Sequence, residues 1–221
     1  MSDATARAAD LAARLAEFDT ATLYEAAGQR GAMAPGIHSL VPHKRVASPA
    51  LTVVCPPGDN LMLHAAVAAA QPGEILVAQC HDHGIGVWGE VLTVAAMARG
   101  IAALVIDGSV RDIDSIRGRG FPVFARGTAL STARKAELGC LRVPISCGGL
   151  LVWPGDYVVA DDSGIVVLGA ATVEATLAQA LARRDKEAVM MERLRHGETT
   201  LELLNLNPVL AQLMQDPRRS S

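Results

Sequence analysis

The sequence predicts an α/β fold with a long C-terminal helix, on three observations. Between residues 50 and 125, short Val/Leu/Ile runs alternate with helix-length segments and Gly/Pro turns. That rhythm belongs to a partly parallel sheet with helices packed on it. From 145 to 168 the texture changes to LLVW, PGD, YVVA, DDSG and IVVL, the short strands and tight turns of an antiparallel meander. From about 170 to 195 the chain is rich in Ala, Leu, Arg and Glu with no breaker, which predicts one long helix. No repeat and no long linker divides the 221 residues. Residues 1–221 are therefore expected to form a single domain, with N-terminal helices over 1–30, an α/β core over 50–168 and a helical arm over 170–206.

Leu11, Leu15 and Phe18 recur at i, i+4 and i+7, so an amphipathic helix is expected over about 5–18. Asp19-Thr20 caps a second helix through ATLYEAAGQRG, stopped by Gly31. A Pro/Gly/His-rich loop follows at 35–44. ALTVVC at 50–55 is a buried strand ended by Pro56-Pro57-Gly58. Residues 60–70 are helical, Gln71-Pro72-Gly73 is a turn, and Ile75–Gln79 is a strand. HDHGIGVWG forms a loop leading to a helix at about 90–99, which Gly100 closes. Ala102–Asp107 is a strand, Asp112–Arg117 a short helix and Pro122–Ala125 another strand. Beyond Gly197 the expectation is a short appendix with a polar tail.

Half of the residues are apolar but only 3% are aromatic. Charged residues are 19%, below the roughly 25% of an average soluble domain. The apolar fraction and a net charge of -3 exclude intrinsic disorder. Every apolar stretch is interrupted well before the roughly 18 residues needed to cross a bilayer. No Lys/Arg run exceeds two residues, so no cationic field awaits a nucleic acid. The first twenty residues have no signal-peptide core, and their acidic residues argue against a transit peptide. Cys55, Cys80, Cys140 and Cys147 form no CxxC pair, so reduced thiols in a cytoplasmic protein are expected. The greasy, aromatic-poor composition fits either an oligomer hiding apolar surface between subunits or a monomer with a dense Ala/Val core.

Chemistry concentrates in two segments. Asp107-Gly108-Ser109-Val110-Arg111-Asp112 lies where a strand ends and a helix begins, the edge at which α/β proteins bind ligands. Arg111 offers a planar cationic fork for a carboxylate or a developing oxyanion. Asp112 offers hard oxygen to Mg²⁺ or Mn²⁺. The same pair also reads as a helix cap beside a surface ion pair. Gly84-Ile85-Gly86-Val87-Trp88-Gly89-Glu90 precedes a helix N-terminus, whose bare N–H groups and dipole favour an anion. It matches neither a Walker loop nor a dinucleotide fingerprint. Glu90 in the first turn also reads as a helix-dipole carboxylate. His81-Asp82-His83 beside Cys80 lacks the companions of a zinc site. Gly58-Asp59-Asn60 is a cap, or places Asn60 or His64 toward a site. No Gly-x-Ser-x-Gly elbow supports a serine hydrolase.

Several segments in fixed order, PGDNLMLHAA, QPGEILVA, WGEVLTVAAMARGIAALVIDGSVRD, GFPVFARG and VPISCGGLLVWPGDYVVADDSGIVV, resemble one family. The chain is similar to the class II pyruvate aldolases related to the regulator of ribonuclease activity A. That group includes 4-hydroxy-4-methyl-2-oxoglutarate and 4-carboxy-4-hydroxy-2-oxoadipate aldolases, which also decarboxylate oxaloacetate. The family signature, an acid separated by twenty residues from Arg-Asp, falls here on Glu90 and Arg111-Asp112. The first acid is Glu where the family usually has Asp, and one methylene moves the carboxylate by up to about 1.5 Å.

The resemblance implies a layered α-β-β-α sandwich of swivelling-domain type with mixed sheets. It implies Asp112 as ligand to a divalent Mg²⁺ or Mn²⁺, and Arg111 as the group that neutralises an enolate oxygen. The loop Gly86, Val87, Trp88, Gly89, Glu90 and Val91 would hold the carboxylate of a 2-oxo acid. Glu187 in the last helix would reach a neighbouring subunit's site, and Glu25, Asn60, His64 and Lys135 would be further pocket positions. Retro-aldol cleavage to pyruvate follows, in a homotrimer or a hexamer built from two trimers. A non-catalytic binding module like the ribonuclease regulator is the alternative.

Overall fold

The computed structural model describes residues 3–81 and 83–214. The N-terminal periodicity closes as helix α1 (Asp3–Leu15), with Leu11, Leu15 and the following Phe18 buried. Helix α2 (Thr20–Ala26) begins where the Asp19 carboxylate accepts the Thr22 N–H at 2.7 Å. It ends before the expected stop at Gly31, because Gly28 already turns the chain with φ +71°. Strand β1 (His38–Ser39) crosses the Pro/Gly/His-rich loop, and β2 (Val46–Val54) follows. The centre alternates as expected: α3 (Leu61–Ala69), β3 (Ile75–Gln79), β4 (Ile85–Trp88), α4 (Glu90–Ala98), β5 (Ala103–Val110), α5 (Ile113–Arg119) and β6 (Val123–Thr128). Strand β4 replaces the expected loop. Then come β7 (Ser131–Thr132), β8 (Cys140–Leu141), β9 (Ile145–Cys147), β10 (Leu150–Val152), β11 (Tyr157–Asp161) and β12 (Gly164–Leu168). Helix α6 (Val173–Arg195) precedes two short helices, α7 (Thr200–Leu203) and α8 (Asn207–Met214).

Strands β2, β3, β5 and β6 are parallel neighbours in the order β6-β5-β3-β2. Antiparallel strands flank them: β1 beside β6, and β11 then β12 beside β2. The expected mixed α/β fold is therefore present. Period-two alternation splits the parallel strands between two cores. Leu76, Ala78, Leu104 and Ile106 face α3, α4 and α5, while Ile75, Val77, Ala103 and Val105 face Ile145, Val152 and Val158. Helices α1 and α2 pack on the flanking side, against β2 and against β11 and β12. Ten of the strands form one mixed sheet, and β9 and β10 form a separate two-stranded one. Strand β5 is buried along its whole length, as a central strand covered on both faces must be. Its buried Asp107 is neutralised by Arg126, which donates to it at 2.7 and 3.2 Å; the Asp107 carboxylate also accepts the Gly148 N–H at 2.9 Å.

The chain divides into two compact units, one ending at Ala180 and one starting at Leu181. In the first, Val173, Thr176, Leu177 and Ala180 form the buried stripe of α6, spaced i, i+3, i+4 and i+7. In the other, no described residue is buried. There the Thr199 hydroxyl accepts the Glu202 N–H and the Glu202 carboxylate accepts the Thr199 N–H, a capping box that starts α7. Among the described residues no helix is long and apolar enough to cross a membrane.

Candidate active site

Strand β5 ends by delivering Arg111-Asp112 against the N-terminus of α4. The Arg111 N–H donates to the Trp88 carbonyl at 2.7 Å, which joins the two strand ends. Asp112 occupies the residue before α5 with φ +56°, a left-handed conformation costly for a side-chain-bearing residue. It makes no side-chain cap bond to its own helix. Its Oδ2 instead accepts the Glu90 N–H at 3.1 Å, and its Oδ1 accepts the Arg111 Nε–H at 3.2 Å. Arg111 Nη1 also donates to the Thr132 hydroxyl at 3.3 Å.

Two glycines make this approach possible. A Cβ at Gly89 would lie 2.5 Å from Asp112 Oδ2 and 2.9 Å from Arg111 Cγ. A Cβ at Gly86 would collide with the Ala129 carbonyl and press on Arg111 Cβ. The glycines read in the sequence as baring N–H groups therefore also admit the Arg111-Asp112 pair. Trp88 contributes only its backbone to this edge. Its indole is wholly buried, donates to the Thr93 hydroxyl at 2.8 Å and stacks on Phe121 with centroids 6.3 Å apart.

The start of α3 lines the same cleft as this pair. Asn60 Nδ2 donates to the Val87 carbonyl at 2.7 Å, which fixes the amide and leaves Oδ1 buried without a partner. One turn later, His64 Nε2 is likewise buried without a partner. Burial, and then the nearby Lys135 ammonium, push the His64 imidazole below its usual pKa. Asp59 sets the spacing between α3 and the segment carrying Lys135. Its carboxylate accepts the N–H groups of Leu61 at 2.8 Å, Ala136 at 2.7 Å and Glu137 at 3.2 Å. Burial alone would raise its pKa; the three N–H groups and Arg134 outweigh that and hold it below the usual carboxylate range.

Together these groups line a cleft of about 320 Å³ containing Asn60, His64, Gly86, Val87, Trp88, Gly89, Val91, Arg111, Asp112 and Lys135. Three expected positions are not among its lining residues. Glu90 turns its carboxylate to Arg119 of α5, at 3.2 Å from Nε and in closer contact with Nη2. Glu25 lies on α2. Glu187 belongs to the unit that starts at Leu181, where it pairs with Arg183 at 2.7 Å. Thr132 and Arg119 escape a sequence reading. Thr132 belongs to a two-residue strand, and Arg119 has the position of an ordinary last-turn arginine. Asp82 lies outside the described residues, while the His83 carbonyl accepts the Ser109 hydroxyl at 2.8 Å. A slightly larger cavity of about 350 Å³ adjoins α2 and β12. Among its lining residues the single carboxylate, Asp162, already accepts the His43 N–H at 2.8 Å.

The cleft offers two cations, one carboxylate with spare lone pairs, two unpartnered polar atoms and a helix N-terminus. Among the described residues no three His, Cys, Asp or Glu side chains converge as a metal cage. A hard divalent cation that keeps most of its waters fits such a site through Asp112 alone.

The fold and the cleft define a layered α/β protein with its candidate site at the carboxyl ends of parallel strands, where such folds bind ligands. The chain belongs to the RraA-like family, described as Aldolase/RraA, whose pattern matches residues 16–167. It is 36% identical over 154 residues to the Halalkalibacterium halodurans protein named "Putative 4-hydroxy-4-methyl-2-oxoglutarate aldolase", covering 69% of this chain and 73% of that one. The crystal structure of an uncharacterized protein from Pseudomonas syringae pv. tomato is similar at a TM-score of 0.78 and 31% identity, over 87% of this chain and 95% of that one. The Streptomyces coelicolor protein RraAS2, titled an unusual member of the RNase ES inhibitor RraA protein family, is similar at a TM-score of 0.74 and 30% identity, over 82% and 96%.

Proposed function

We propose that this chain is a divalent-metal-dependent carbon–carbon lyase that cleaves a 4-hydroxy-2-oxo acid to pyruvate and an oxo compound, and that also decarboxylates oxaloacetate. The observation that carries this reading is the Arg111-Asp112 pair held on the α4 N-terminus, inside a cleft that Asn60, His64 and Lys135 also line. Asp112 would hold Mg²⁺ or Mn²⁺, and the cation would supply Lewis-acid polarisation of the 2-oxo group. Arg111 stands beside Asp112 as a permanent cation for the negative charge that develops on the substrate's C2 oxygen. The N–H groups at the start of α4 suit the substrate's C1 carboxylate. Lys135 at the rim suits a distal carboxylate. Glu187 would act from a neighbouring subunit of a homotrimer or hexamer. That the unit from Leu181 onward buries none of its described residues supports a need for such packing.

Pyruvate release from a panel of 4-hydroxy-2-oxo acids and from oxaloacetate, followed with and without EDTA, tests the reading. Arg111→Ala and Asp112→Ala should each lower kcat/KM by roughly 10²-fold or more, and EDTA should abolish turnover. A fully active Asp112→Ala protein would refute it. The binding-module reading is supported by the likeness to RraAS2. Metal-independent co-purification with an RNA-degrading enzyme, without pyruvate release, would favour that reading.

A further inference from the structure

Away from the cleft, the ten-stranded sheet ends in β1 on one side and β12 on the other. These end strands approach each other without pairing, and α2 packs on β12 beside them. The cavity of about 350 Å³ lies at this seam, lined by His38 of β1, Ile165 of β12 and Tyr24 of α2. It shares no lining residue with the cleft. Its size falls within the roughly 300–1,000 Å³ of small-molecule sites, which are mostly apolar with a few polar groups. Met33, Ile37, Ile165 and Val166 supply its buried apolar part.

Three polar side chains line the same space: Tyr24, His38, and Ser163 in the turn between β11 and β12. Among the described residues, none bonds to the Tyr24 hydroxyl, the Ser163 hydroxyl or the His38 imidazole, so each is available to a ligand. The charge balance of the lining narrows what that ligand is. Asp162 is engaged by the His43 N–H, and no Lys or Arg lines the cavity. An anion would give up its hydration there with no cation in return. The rings of Tyr24 and His38 and the thioether of Met33 are the neighbours that a planar aromatic ring prefers.

We propose that this seam cavity is a second ligand site, and that it takes a small uncharged aromatic molecule bearing a hydroxyl group, a member of the phenol class. The ring fills the apolar part formed by Met33, Ile37, Ile165 and Val166, and the hydroxyl bonds to Tyr24. Binding there is non-covalent and asks nothing of Arg111 or Asp112. The site therefore stands or falls independently of the lyase reading.

Titration of the full chain with 4-fluorophenol at neutral pH, followed by fluorine NMR, tests the site. Saturable binding is expected with a Kd on the order of 0.1–1 mM, as a ligand of so few atoms allows. Ala21 lines the cavity and is exposed on α2, so Ala21→Trp adds bulk there without crowding the core. That variant should abolish binding. Val91→Trp places the same bulk on the lining of the cleft and should leave the affinity unchanged. Tyr24→Phe should weaken 4-fluorophenol by roughly 2- to 10-fold, the worth of one hydrogen bond, while fluorobenzene binds as before. 4-Fluorobenzoate should fail to displace 4-fluorophenol. The proposal is overturned by the absence of saturable binding, by binding that Val91→Trp removes, or by displacement with the benzoate. Binding seen only after an oligomer is dissociated also overturns it, because a second copy of the chain then covers the seam. In Tyr24→Phe, an unchanged affinity for 4-fluorophenol, or a parallel loss for fluorobenzene, refutes the hydroxyl contact.

Discussion

Gly89 sets how closely the Arg111-Asp112 pair can approach the start of α4. Its missing side chain lets Asp112 Oδ2 reach the Glu90 N–H, and that contact fixes where the carboxylate points. Gly89→Ala should cost about 1–3 kcal/mol through overpacking, read as a lower denaturant midpoint. It should also lower metal-dependent turnover more than its stability loss explains. Unchanged turnover would show that the carboxylate has another route to its position. Arg111 and Asp112 are legible in the sequence because they are adjacent and sit at a strand end. Arg119 and Thr132 are not, because their partners, Glu90 and Arg111, lie at sequence distances that no local pattern encodes. The pairing with Arg119 also gives the Glu at position 90 a use that a shorter Asp would reach less well.

Among the elements, α3 depends on charge at its start. Asp59 accepts three backbone N–H groups and joins α3 to the segment that carries Lys135. Because its folded pKa is depressed, its contribution to stability is fully present above the usual carboxylate pKa of about 3.9. That contribution is lost as the pH falls from there through the lower folded value. Thermal midpoints measured from neutral pH down through this window should fall, and Asp59→Asn should flatten that part of the curve. An unchanged slope would remove Asp59 from the account. The helices and the long strands are legible because their apolar periods are long enough to distinguish. Strand β4 is not. Its residues within GIGVW carry no period, and their extended form comes from pairing with β5 and β7. The start of α7 is spelled Thr199-Thr200-Leu201-Glu202, a recognisable capping box. It follows so closely on Gly197 that the segment reads as the beginning of a polar tail.

At the scale of the molecule, alternating β and α segments make the layered order readable, because right-handed parallel crossovers leave few other arrangements. The division after Ala180 is not readable, since α6 runs through it without a break in composition. Beyond that point apolar side chains, among them Val189, Leu204 and Leu210, are exposed in the single chain. Covering them gives copies of the chain a reason to associate. For the proposed trimer or hexamer, light scattering should give a mass that is three or six times the 23.1 kDa of one chain. Glu187→Gln should lower turnover without changing that mass, whereas a fully active monomer would remove Glu187 from the site. The chain has only two tryptophans, and they differ sharply. Trp153 is 54% exposed, whereas Trp88 is sealed in the core with its backbone on the cleft. The blue edge of the fluorescence spectrum thus comes from one indole adjoining the candidate site, a built-in optical reporter for titrating cations and oxo acids without a label.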